Sequence, residues 1–77
     1  MAIRFDEHAL FQLEKRGISQ LDAEETIRSP DQIEAGTARV SYLKCLPGRR
    51  VMLRVVASVI DPEYVITAYF DRRKPCA

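Results

Sequence analysis

At Ser29-Pro30 the spacing of apolar residues changes from a helical period to a strand period, and this switch does most to limit what the chain can become. Before it, Ala9, Leu10 and Leu13, then Leu21, Ala23 and Ile27, recur at intervals that line one side of a helix. Beyond Asp31 the alternation is every second residue. Proline disfavours helical geometry in the residue before it, so Ser29 should end the second helix. The reading is α+β: two N-terminal helices packed on a mainly antiparallel four-stranded sheet, in one domain spanning residues 1–77.

Local signals sharpen the boundaries. Asp6 is a good N-cap, Phe5 and Leu10 occupy hydrophobic-staple positions, and Glu7 suits the positive end of the first helix. Lys15-Arg16-Gly17 supplies a cationic last turn and a glycine stop. Ser19 caps the second helix, with Asp22 three residues on. Strands are predicted over Gln32–Ala35, then 39–46, 50–60 and 63–71, with turns at Gly36-Thr37, Pro47-Gly48 and Asp61-Pro62.

A tight Asp61-Pro62 connection sets the register of the last hairpin. It places Leu53 opposite Phe70, Val55 opposite Ala68 and Ala57 opposite Ile66, a wholly apolar set that the helices should cover. The other face then pairs Arg54 with Tyr69 and Val56 with Thr67. Leu10, Leu13, Ile27, Leu53, Val55, Ile66, Ala68 and Phe70 are the expected core. The preceding hairpin is open to two readings. A three-residue loop, Pro47 to Arg49, sets Leu43 against Leu53 and turns Lys44 to the Arg54 face; a two-residue loop turns Lys44 to the helices.

Composition narrows the function. The net charge of +1 is weak for a committed nucleic-acid binder, but it is polarised. Asp22, Glu24, Glu25, Asp31 and Glu34 make the middle acidic; Lys44, Arg49, Arg50, Arg54, Arg72, Arg73 and Lys74 make the C-terminal half basic, as a phosphate backbone would require. No apolar run spans a bilayer and the start lacks an apolar leader, which points to the cytoplasm. Cys45 and Cys76 lack zinc-site spacing and are expected as two reduced thiols. No phosphate-loop glycine pattern is present, and no metal or cofactor is expected.

His8-Ala9, then Arg16-Gly17-Ile18-Ser19, Pro30, and finally Val65-Ile66-Thr67-Ala68-Tyr69 with Arg72 resemble a family of small, mostly uncharacterised bacterial and phage domains. That family is similar to the RelE- and BrnT-type toxins, a group that includes barnase-like, metal-independent ribonucleases. The resemblance implies a compact toxin-like fold, endoribonuclease or RNA-binding activity in a toxin–antitoxin type system, and a protein antitoxin as partner. His8, Arg16, Thr67, Tyr69 and Arg72 match motif positions, while Gln12 stands where many relatives carry arginine.

Metal-independent RNA cleavage uses the substrate's own 2′-hydroxyl as nucleophile and asks the protein for a base, an acid and cations. On this reading His8 is the base, Tyr69 the acid and Arg54 the cation at the reacting phosphate. Arg16, Lys44, Thr67, Arg72 and Arg73 would hold RNA. Each has a plainer role: Arg16 closing its helix, Thr67 and Tyr69 filling a strand, Arg54 packed on Tyr69. The alternative function is a non-catalytic protein-interaction module, a degenerate toxin homologue that binds a partner through an exposed sheet face or edge. A domain this small would also gain stability as a homo-oligomer.

Overall fold

The computed structural model describes residues 2–76. It is an α+β domain of two helices and a five-stranded sheet, one strand more than the sequence pattern predicts. The elements in chain order are β1 (Arg4–Phe5), α1 (Glu7–Arg16), α2 (Gln20–Arg28), β2 (Gln32–Ala35), β3 (Arg39–Lys44), β4 (Val51–Ser58) and β5 (Tyr64–Pro75). The sheet order is β1-β5-β4-β3-β2, antiparallel except where β1 runs parallel to β5. Two residues show no alternation, which is why β1 is invisible to a periodicity argument.

The helix boundaries follow their caps. Gly17 sits at φ 66, where a Cβ would be strained, and Ile18 donates its N–H to the Leu13 carbonyl at 2.9 Å. Ile18 and Leu13 are both buried, completing the hydrophobic contact of a Schellman stop. Ser19 Oγ accepts the Asp22 N–H, as its position predicts. Asp6 has N-cap backbone geometry, but its carboxylate makes no cap bond; it accepts the Tyr64 hydroxyl at 3.1 Å instead. Leu10, expected in the core, is exposed, and Leu21 is 76% exposed. On α2 the inward positions are Ala23 and Thr26, whose hydroxyl is satisfied by the Asp22 carbonyl at 2.8 Å.

The helices cover one face of the sheet. Ala9, Leu13, Ile18 and Ala23 pack with Leu46, Leu53, Val55, Val65 and Ala68, while Ile27 and Phe70 are only half-buried at the margin. The β4–β5 register is the expected one from Leu53↔Phe70 to Val56↔Thr67. It then slips: Ala57 pairs with Val65, and Ile66 is left as the extra residue of a bulge. A second irregularity lies between Met52↔Asp71 and Val51↔Pro75, which throws Arg72, Arg73 and Lys74 out of the ladder. The Asp71 carboxylate pins this bulge by accepting the Arg73 N–H at 2.9 Å.

Neither predicted loop length is found between β3 and β4. Pro47-Gly48 does form a turn, with Gly48 at φ 79 and Arg49 N–H bonded to the Leu46 carbonyl at 3.1 Å. A turn of this type twists against a hairpin, and the ladder resumes only at Lys44↔Leu53. The resulting register pairs Leu43 with Arg54 and puts Lys44 on the helix side. There Lys44 Nζ donates to the Ser29 carbonyl that closes α2, at 2.8 Å.

The expectation of two free thiols is overturned: Cys45 and Cys76 form a disulfide, with Cα atoms 5.5 Å apart. They are 31 residues apart in sequence, but β3 and β5 flank β4, so the end of one strand meets the end of the other beside the start of β4. Cys76 N–H is held by the Arg50 carbonyl at 2.9 Å. No helix among the described residues is long and apolar enough to cross a membrane.

Candidate functional site

The sheet face away from the helices carries Glu34, Ser41, Leu43, Arg54, Val56, Thr67, Tyr69 and Asp71, as the ladder registers dictate. Arg54, Tyr69 and Thr67 therefore share a face, as expected, but Arg54 is no free cation. Its side chain is only 11% exposed, Nε donates to Asp71 at 2.9 Å and Nη1 donates to Glu34 at 3.0 Å. The bridge to Glu34 crosses β3 and covers Leu43, which is fully buried. Burial works against the guanidinium's charge, but the bonds to Glu34 and Asp71 outweigh it and hold the proton more firmly than usual. Lys74 reaches the other Glu34 oxygen and extends the network. Two carboxylates against Arg54 leave little charge for a phosphate. Arg54 is therefore an ion-paired residue and not the free cation expected, and Lys44 is turned to the helices and not to the Arg54 face.

The remaining sequence-derived residues gather along the junction of α1 and β5. His8, Gln12 and Arg16 recur every fourth residue and so share one side of α1. Arg16 wraps the outer edge of β5, where β1 pairs only with Tyr64 and Val65. Its Nη1 donates to the Ala68 carbonyl at 2.9 Å, and its guanidinium lies 5.8 Å from the centre of the Tyr69 ring. Arg16 thus joins the helix to the strand that holds Thr67 and Tyr69, while its other donors stay at the surface.

His8 is exposed on the first turn of α1, and its Nε2 lies 3.4 Å from the Gln12 amide nitrogen. Gln12 Oε1 is shielded from solvent and has no hydrogen-bond partner among the described residues. At the same end the Tyr64 hydroxyl donates a hydrogen bond to Asp6, which raises the phenol's pKa, with burial and the nearby negative charge adding to the effect. Tyr64 is a neighbour of the His8 end that sequence reasoning missed. The signal was its position beside a parallel β1 too short to predict.

Arg72 and Arg73 project from the β5 bulge; Arg73 is 85% exposed and 3.5 Å from Asp71. Asp71 itself is 3% exposed. The Arg73 N–H lowers its carboxyl pKa, burial pulls the other way, and Arg54 adds to the lowering. Among the described residues no group of three or more His, Cys, Asp or Glu is placed to hold a metal ion.

Fold and site together define a class: a small α+β domain whose helix pair covers one sheet face and whose histidine-bearing helix borders an open strand edge. The chain belongs to the family described as Domain of unknown function (DUF4258), which it matches over residues 5–70. That span takes in His8, Gln12, Arg16, Thr67 and Tyr69 and stops short of the basic bulge. No curated protein and no solved structure matches the chain.

Proposed function

We propose that this domain is a toxin-like, metal-independent endoribonuclease or RNA-binding domain of a toxin–antitoxin type system, with a RelE/barnase-like arrangement, and that it works along the α1–β5 junction. The observation that carries the reading is the His8–Gln12–Arg16 stripe docked against the strand that bears Thr67 and Tyr69. His8 takes the 2′-hydroxyl proton; the oxygen attacks the adjacent phosphorus and the bond to the 5′-oxygen breaks. The products are a 2′,3′-cyclic phosphate and a 5′-hydroxyl, with Tyr64, bonded to Asp6 at the His8 end of α1, as the phenol for the leaving oxygen in place of Tyr69, the acid expected from sequence, which lies beside Arg16. Eight residues of helix separate His8 from Arg16 by about 12 Å, so Arg16 meets a neighbouring phosphate. Arg72 and Arg73 extend the cationic track. RNA as substrate places the work in the cytoplasm, where thiols are kept reduced, so the working form on this reading lacks the Cys45–Cys76 bond.

The test uses purified protein on naked RNA and on translating ribosomes. Cleavage should survive EDTA, fail on an all-deoxy substrate, and drop about 10²–10⁴-fold in His8→Ala. Arg16→Ala should weaken binding and lower its salt slope by about one. Equal activity in wild type and His8→Ala removes the proposed base.

The neutralised Arg54 and the glutamine at position 12 favour a second reading, a non-catalytic module that binds a protein partner. Absence of RNA binding in both settings would select it.

A further inference from the structure

The turn between β4 and β5 pairs an apolar projection with an apolar cleft. Ile60 is 95% exposed and its neighbour Val59 is also exposed. Single surface isoleucines are common and need no explanation. This one is held out by its backbone: Ile60 N–H bonds Ser58 Oγ at 3.2 Å, Val59 N–H bonds the Ala38 carbonyl at 3.1 Å, and Asp61 is ion-paired with Arg4. Two residues further on, Pro62 and Glu63 form one wall of an open cleft of about 400 Å³, completed by Ile3, Ile27, Arg28 and Tyr42. A cavity of roughly 150 Å³ holds a benzene ring, so the cleft has room for an isoleucine and part of its neighbour. Its polar groups are few. The Tyr42 hydroxyl is turned to the Pro62 carbonyl at 3.3 Å, and burial, with Glu63, raises its pKa.

We infer that this surface is a self-association site: Ile60 of one copy seats in the cleft of a second copy, and the reverse, about a twofold axis. A knob beside its own hole is the self-complementary arrangement a twofold interface requires, because each patch must meet its own image. The rim carries both charges, Glu63 and an exposed Arg28 held only by a 3.4 Å pair with Glu24 on its own helix, so a twofold arrangement can set the Arg28 of one copy against the Glu63 of the other. The core gives a reason to associate: a chain of 77 residues buries a smaller share of its surface than a larger domain does, and dimerisation would cover apolar groups it leaves out. The site uses neither His8 nor Arg16, so it stands whether or not the domain acts on RNA.

The experiment is sedimentation velocity of the full chain from micromolar to millimolar concentration. Wild type should pass from monomer to dimer. Ile60→Asp should raise the dimer dissociation constant by two orders of magnitude or more, because a central apolar anchor is lost twice per dimer. Arg28→Glu and Glu63→Arg should each weaken association, and the two together should restore it. Ile33→Asp, at the other sheet edge, should change nothing. A wild type that stays monomeric throughout overturns the proposal. So does a dimer insensitive to Ile60→Asp, or one abolished by Ile33→Asp.

Discussion

Breaking the Cys45–Cys76 bond should cost this domain a large part of its stability. The bond closes a segment of 31 residues. The loss of unfolded-chain entropy on closing a loop of that length is worth about 3.7 kcal/mol at 25 °C. A small domain's melting temperature moves about 4–8 °C per kcal/mol, so reduction should lower it by roughly 15–30 °C. The assay is thermal unfolding followed by circular dichroism, with and without reductant, beside thiol counting in denaturant. Cys45→Ala and Cys76→Ala should fall by similar amounts and then ignore reductant, because either change opens the same loop. Two free thiols per chain in air-oxidised protein, or a melting temperature unmoved by reductant, would refute the reasoning. A large shift would also make the reduced form that the ribonuclease reading requires a much less stable molecule.

Three further outcomes follow from the ion network and the core. Arg54→Met should destabilise by about 3–5 kcal/mol, since it strands the buried Asp71 carboxylate, and Asp71→Asn in the same chain should recover part of that in urea titrations. Asp71 and Glu34 have lowered pKa values, Asp71 chiefly through the Arg73 N–H and Glu34 chiefly through Lys74. Their contribution is therefore complete above the ordinary values of 3.8 and 4.5 and is lost as pH falls through the folded values; melting temperature should hold from neutrality to that range, drop below it, and drop less in Glu34→Gln. Leu53→Ala, which empties a fully buried position between the helices and β4, should cost about 2–5 kcal/mol by the same urea titration.

Local chemistry was legible in the sequence because its causes lie within a few residues of each other. The Gly17 stop, the Ser19 cap, the break at Ser29-Pro30 and the four longer strands all arise from neighbouring residues, and the structure has them in place. The apolar alternation also settled which residues of β4 and β5 face the helices, because a one-residue slip would have exposed Leu53 and buried its polar neighbours. The motif residues were visible as types, and the helical period alone put His8, Gln12 and Arg16 on one side of α1.

What each of those side chains meets was decided only by the assembled sheet. Arg54 was expected outward and free; it is outward but paired, because Glu34 and Asp71 come from strands 20 and 17 residues away that register, not sequence, brings beside it. Lys44 faces the helices, the side that the two-residue loop gave it and the three-residue loop did not, and only the assembled ladder decides between them, since a one-residue difference in register inverts every side chain on β3. β1 exists only because β5 offers it an edge. Cys45 and Cys76 meet because β4 lies between their strands. Each of these contacts joins residues distant in the chain, and its geometry depends on where whole elements come to rest.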